Sequence, residues 1–247
     1  GRIADYRDET DRAIRLYSEV LNGSNAVPSQ TRAATLLAHK KDDLQGALGL
    51  LDEFAEASPP NAVEVFSAKA QLLASVEKYD EALKLYDKVT SYHPDDERAA
   101  LGRSELLLRM GRLDEALDSY ADAAKRWPKS AMALNAYGYT LADRTDRYRE
   151  AEKLIRKALR YDPTSPAIID SLGWVLFKLE RYEEALVELE RAYEGMQDHE
   201  VAAHIIETLV ALGRRDEAME WLLKAEEKTP DSPLLKDVRD RLFTDDP

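Results

Sequence analysis

The chain has no cysteine, which rules out disulfides, thiolate nucleophiles and cysteine-ligated metal, and leaves the redox compartment unmarked. Glycine and proline are scarce, ten each in 247 residues, which argues against a disordered chain and against a turn-rich all-β fold. Positive charge is in deficit: 35 Lys and Arg face 48 Asp and Glu, for a formal charge of −13. A chain so acidic is poorly suited to non-specific binding of nucleic-acid phosphates or anionic lipid. No apolar run approaches the roughly 18 residues a membrane-spanning helix needs. There is no glycine-rich phosphate loop, no GxSxG elbow and no acidic loop of calcium-binding pattern. With carboxylates spread throughout, no pair stands out as general acid and base. A catalytic function and a cofactor are therefore not expected.

What the chain does have is a period. Small residues recur at Ala13, Ala47, Ala82, Ala116, Ala151, Ala185 and Ala218, spaced by 34, 35, 34, 35, 34 and 33 residues. Prolines keep the same rhythm at Pro59, Pro94, Pro128, Pro163 and Pro230, with Gln197 where one more is due. The clearest overlay lies within 131–198, where Gly138 falls on Gly173, Tyr148 on Tyr182, Ala151 on Ala185 and Ala158 on Ala192. Each unit divides into two amphipathic stretches around a polar break, a helix–turn–helix. A mid-helix glycine costs about 1 kcal/mol of helix propensity against Ala. Its recurrence predicts a close helix–helix approach that a Cβ would block.

A period near 34 with Gly, Tyr, Ala, an aromatic and Pro at set offsets resembles the tetratricopeptide repeat. The resemblance implies an all-α fold, a right-handed solenoid of antiparallel helix pairs. Six units are expected at 28–62, 63–96, 97–130, 131–165, 166–198 and 199–232. Residues 1–27 read as a truncated leading repeat. The chain thus opens midway through a first helix, the pattern expected of a fragment, so the lack of a visible signal peptide carries no weight. Residues 233–247 read as a capping helix and tail, with 244–247 fraying. Gly46 and Gly49 inside a second helix predict a looser unit at 28–62, because two interior glycines cost roughly 2 kcal/mol. The run Asp95, Asp96, Glu97 is expected to cap the helix that follows it.

The histidines at His199 and His204 suggest a zinc helix only superficially. They stand at i and i+5, about 140° apart around a helix, whereas two histidines sharing a zinc stand at i and i+4, about 40° apart. Tyr79, Tyr148 and Tyr182 recur at one offset, and Tyr86 and Tyr120 at another; repetition of this kind marks core packing. Tyr139 and Trp174 each follow a packing glycine. The tetratricopeptide resemblance places that offset in the concave groove lined by first helices. Asn135 and Asp170 lie one turn earlier, Asp143 and Lys178 one turn later, with Phe177 alongside. These seven residues form the expected partner-binding groove, with Trp174 partly exposed as an anchor. The bland alternative has both rings folded down as packing. The family's two-carboxylate clamp is not expected, since Arg32 and Arg98 match it in charge but its asparagines are missing.

The stretches NAYGYTLADRTDRYREA, IIDSLGWVLFKLERYEEAL and VAAHIIETLVALGRRDEA are similar to the C-terminal half of proteobacterial tetratricopeptide outer-membrane lipoproteins of the LbcA type. That resemblance, specific over about 131–221, implies a periplasmic adaptor tethered through an N-terminal lipid. Such an adaptor brings a carboxyl-terminal processing protease together with its cell-wall hydrolase substrates. The alternative from a different class is an accessory component of an envelope polysaccharide or secretion system, holding glycan or protein in the groove.

Overall fold

The computed structural model describes residues 1–243; the fraying expected of 244–247 falls outside them. Among the described residues there are helices and no strands. A short leading pair, α1 (Arg2–Tyr6) and α2 (Thr10–Ser18), precedes α3 (Ala26–Lys40) and α4 (Leu44–Ala57). A 3-10 turn at Pro59–Asn61 then leads into α5 (Ala62–Ser75) and α6 (Tyr79–Tyr92). The series continues with α7 (Glu97–Arg109), α8 (Leu113–Arg126), α9 (Ala131–Arg144), α10 (Tyr148–Tyr161), α11 (Pro166–Lys178) and α12 (Tyr182–Gly195). It ends with α13 (His199–Ala211), α14 (Arg215–Lys228) and α15 (Pro233–Phe243). Among the described residues no helix is long and apolar enough to cross a membrane. Helices α3 and α5 start at Ala26 and Ala62, just ahead of the unit boundaries read at 28 and 63, a difference of the size that frayed helix ends produce.

The punctuation follows from local chemistry. Asp43, Asp96, Ser130 and Asp198 each cap a helix, their side-chain oxygens accepting from Gly46, Ala99, Ala133 and Glu200 N–H groups. After most first helices one residue turns left-handed: Asp42, Glu77, Gly111, Glu180 and Gly213 all have φ between 54° and 76°. Gly111 and Gly213 take that conformation without the Cβ penalty that the other three bear. The unit from 131 turns differently. Its first helix continues to Arg144 and stops at an extended Thr145, which accommodates the one extra residue of that turn.

The chain folds as two compact units, 1–119 and 120–247, the division falling inside α8. Within 1–119, α3 pairs with α4 and α5 with α6, while the first helices α3, α5 and α7 stand side by side. Within 120–247, α9 pairs with α10, α11 with α12 and α13 with α14, and the first helices α9, α11 and α13 are neighbours. A first helix therefore meets its own partner, the preceding second helix and the adjoining first helices. Burial reflects this: residues 168–176 of α11 are buried without a break, whereas α12 buries only Ala185, Leu186, Leu189 and Ala192. Helix α15 packs on α13 and α14, with Leu235 and Val238 completing a cluster around Ile205, Leu209 and Leu222.

The packing glycines meet the close approach that their recurrence predicts. A Cβ on Gly138 would come within 2.8 Å of Ile155 and 3.1 Å of the Ala151 carbonyl oxygen. On Gly173 it would come within 2.5 Å of Leu189 and 3.2 Å of the Ala185 carbonyl oxygen. The glycines of α4 correct the sequence reading in part. Gly46 sits in the first turn, its N–H held by Asp43 at 2.8 Å, and a Cβ there would collide with that capping carboxylate. It belongs to the cap and is not an interior defect. Gly49 is interior, and open space surrounds the place of its missing Cβ. Gly49→Ala is therefore expected to raise the stability of the 1–119 unit by about 1 kcal/mol. A denaturant midpoint lowered by this substitution would show that the site is not free.

Candidate partner-binding face

Three first helices build this face in the 120–247 unit. The spacing of four along a helix places Asn135, Tyr139 and Asp143 on one stripe of α9, and Asp170, Trp174 and Lys178 on one stripe of α11. Helix α13 adds Glu200 and His204, again four apart, with Glu207 one turn on. The Tyr139 hydroxyl donates to Glu200 Oε1 at 3.0 Å, so α9 and α13 are linked at a sequence separation of 61. His204 Nδ1 lies 2.9 Å from Asp170 Oδ1, both side chains being buried. An ionised carboxylate only accepts, so the shared proton resides on Nδ1.

The Trp174 ring organises the centre. It stacks on Phe177 at 5.0 Å between centroids and 5° between planes, and on His204 at 4.3 Å and 19°. Lys178 Nζ stands 4.3 Å from its centroid, within cation–π range. Phe177 in turn meets Tyr182 at 5.5 Å. At this face two polar atoms are buried without a partner among the described residues, Asn135 Oδ1 and Trp174 Nε1. Such atoms carry a desolvation cost and are rare in folded chains.

Electrostatics follow from this crowding of carboxylates. Burial first, then the charges of Glu200, Asp143 and Asp170, push the Tyr139 phenol far up, so it remains a hydrogen-bond donor. For His204, burial alone pulls the imidazole down; the hydrogen bond and charge of Asp170, with Glu200 and Glu207, outweigh it and the net shift is upward. The remaining acids are engaged. Asp143 pairs with Arg144 at 2.7 Å, and Glu207 with Arg241 of α15 at 2.6 Å. Among the described residues no three His, Asp or Glu side chains gather as a metal-ligand set.

The seven residues read from the sequence thus lie on two neighbouring helices, but not all are accessible. Trp174, expected to be partly exposed, is only 7% exposed, and Asp170 is buried as well. The reason is α13, which lies against α11 and lays His204 over the ring and onto the carboxylate. Asn135, Tyr139, Asp143, Phe177 and Lys178 are half-buried and present the surface. Trp174 and Asp170 form the platform beneath it. His204 and Glu200 were not singled out as members of this face. For His204 the signal was available: it follows Asp170 by 34 residues, one period, which places the two side by side on adjacent first helices.

The tetratricopeptide repeat family profile matches residues 67–131, 104–166 and 140–201, and a second profile of the same description matches 176–242. The chain is a tetratricopeptide repeat protein. Among curated relatives it is 34% identical over 205 residues to the TPR repeat-containing protein PA4667 of Pseudomonas aeruginosa, covering 83% of this chain and 35% of that one. The chain spans about a third or less of the length of the curated relatives it matches. Among solved structures, TTC0263, a thermophilic TPR protein of Thermus thermophilus, superposes with a TM-score of 0.63 at 23% identity over 73% of this chain and 96% of that one. A tetratricopeptide repeat protein from Parabacteroides merdae superposes with a TM-score of 0.66 at 19% identity, covering 86% and 85%. At such identities the structural likeness speaks to fold. Repeats of this family mediate protein–protein interaction, typically as non-catalytic scaffolds.

Proposed function

We propose that the α9/α11/α13 face holds a segment of a protein partner. Within a longer protein, this repeat array then serves as an adaptor that brings a periplasmic carboxyl-terminal processing protease together with its cell-wall hydrolase substrates. The observation that carries the reading is the layered face itself. Asn135, Tyr139, Asp143, Phe177 and Lys178 stand half-buried on a platform whose rotamers are fixed by stacking on Trp174 and by the Asp170–His204 pair. Rings held rigid among polar groups lose little entropy when a partner docks, and the polar groups set its register. Support for the adaptor role comes from the similarity of 131–221 to outer-membrane lipoprotein adaptors. The same similarity favours a full-length protein in the periplasm, tethered to the outer membrane. Substrates and protease are both proteins, so no cofactor is required.

The test is calorimetric titration of the chain with a purified periplasmic carboxyl-terminal processing protease. Binding is expected, and Lys178→Glu and Asp143→Lys should each weaken it at least about tenfold, or 1.4 kcal/mol. Both side chains lie at the rim of the face, so the folded state should persist and the loss should appear largely in the association rate. Binding that ignores both charge reversals would move the docking surface elsewhere. No binding at all would remove the protease from the reading.

A further inference from the structure

A second polar site lies in the 1–119 unit, remote in sequence from the face described above. A pocket of about 110 Å³ opens between α5 and α7, with the Tyr86 side chain among its lining residues. The Tyr86 ring belongs to the core and is 2% exposed. Its hydroxyl comes up between the two helices only because residue 102 is glycine: a Cβ there would stand 2.6 Å from the hydroxyl oxygen. Four residues after the anchor alanine, four units carry Leu51, Ile155, Leu189 and Leu222, all 1% exposed or less, and three carry Tyr17, Tyr86 and Tyr120. An aliphatic side chain is enough to fill that position in four of the seven units.

The groups around the hydroxyl give the pocket a definite polarity. Gln71 lines the pocket beside the Tyr86 hydroxyl, as do Glu105 and Arg109. Burial, followed by the opposing Gln71 bond and then the charge of Glu105, leaves the phenol pushed up to about 12, so it stays a donor at any ordinary pH. Glu105 stands at the rim with no ion pair among the described residues. Arg109 is committed in part, donating to the Ala74 carbonyl oxygen at 3.1 Å and lying 5.7 Å over the Tyr79 ring. The pocket thus has the Tyr86 hydroxyl at its floor, with the Gln71 amide, the Glu105 carboxylate and the Arg109 guanidinium around it.

We propose that this pocket is a carboxamide subsite, which receives the Asn or Gln side chain of an extended partner segment. The Tyr86 hydroxyl donates to the amide oxygen and the Glu105 carboxylate accepts from the amide N–H. A carboxyl side chain would set a second anion against Glu105. An aliphatic one would leave the buried phenolic proton without a partner, a loss that polar sites penalise. The segment's backbone has a path: through Gln71 the pocket continues into a wider trough of about 420 Å³ between α3 and α5, where Thr31, Ser67 and Arg98 offer hydrogen-bonding groups. Nothing in this assignment depends on the α9/α11/α13 face.

The experiment is NMR titration of the whole chain with three capped pentapeptides, Gly-Gly-X-Gly-Gly, with X as Asn, Asp or Leu, at millimolar concentrations. The Asn peptide should shift the Gly102 and Gln71 amides and bind at least about tenfold more tightly than the other two. Tyr86→Phe keeps the ring and should abolish that preference while the spectrum of the fold persists. If Tyr86→Phe fails to fold, Gly102→Ala takes its place, closing the pocket from the helix side. Equal or tighter binding of the Asp or Leu peptide would overturn the assignment. So would an undiminished preference for Asn in the variant, or the absence of any shift at Gly102 with the Asn peptide.

Discussion

Trp174→Ala is expected to lower the stability of the 120–247 unit by about 3–5 kcal/mol, the range for truncating a buried large aromatic side chain. The ring is 7% exposed and carries stacking contacts to Phe177 and His204 and a cation–π contact to Lys178. Removing it opens a cavity beneath the partner face and releases three side chains at once. Trp174→Phe should recover much of the loss, because an aromatic ring remains between the same neighbours. Native-state hydrogen exchange reads the effect by segment, which matters in a repeat array where a single global transition is not assured. Amides of α11 and α13 should lose protection. A variant with undiminished protection there would mean that the ring is a surface anchor, as its position after Gly173 first suggests.

The buried Asp170–His204 pair should give this unit a pH dependence of defined sign. The folded imidazole titrates above its ordinary value of 6.5, so the folded state binds a proton more tightly than the unfolded chain. Its contribution is fully present below pH 6.5 and is lost as pH rises through the elevated folded value. Asp170→Ala removes one member of the pair and should cost about 3–5 kcal/mol at low pH, since it leaves an imidazolium buried without its counter-ion. Asp170→Asn keeps the shape but drops the charge, and should flatten the slope above pH 6.5. Denaturant midpoints across pH 5 to 9 for the wild type and Asp170→Asn measure this. Parallel profiles would show that the pair does not titrate between those limits.

The architecture was legible in the sequence because it depends on periodicity. The anchor alanines, from Ala13 to Ala218, are fully buried, and Gly138 and Gly173 lie against the partners their recurrence calls for. Capping was legible as a run: of Asp95, Asp96 and Glu97, it is Asp96 that caps α7 through the Ala99 N–H. Gly46 misled because a glycine near a helix start reads like one in the middle until the cap is seen. The face was legible as a set of positions and not as a set of exposures. One helix's periodicity tells which way Trp174 points, but its burial depends on the residue the next first helix brings over it. That residue is His204, one period after Asp170, and only an overlay of one unit's inner stripe on the next unit's would have paired them. The Tyr139–Glu200 bond joins helices two units apart, where small angular differences accumulate, and no single-period rule reaches it.

Hydrogen-exchange footprinting of the chain with and without the purified processing protease bears most directly on the claim that α9, α11 and α13 form a protein-binding face. Added protease should slow exchange in peptides spanning 131–144, 166–178 and 199–211, with Lys178→Glu reducing the protection in all three together. Protection confined to other helices, with these three unchanged, would contradict the claim.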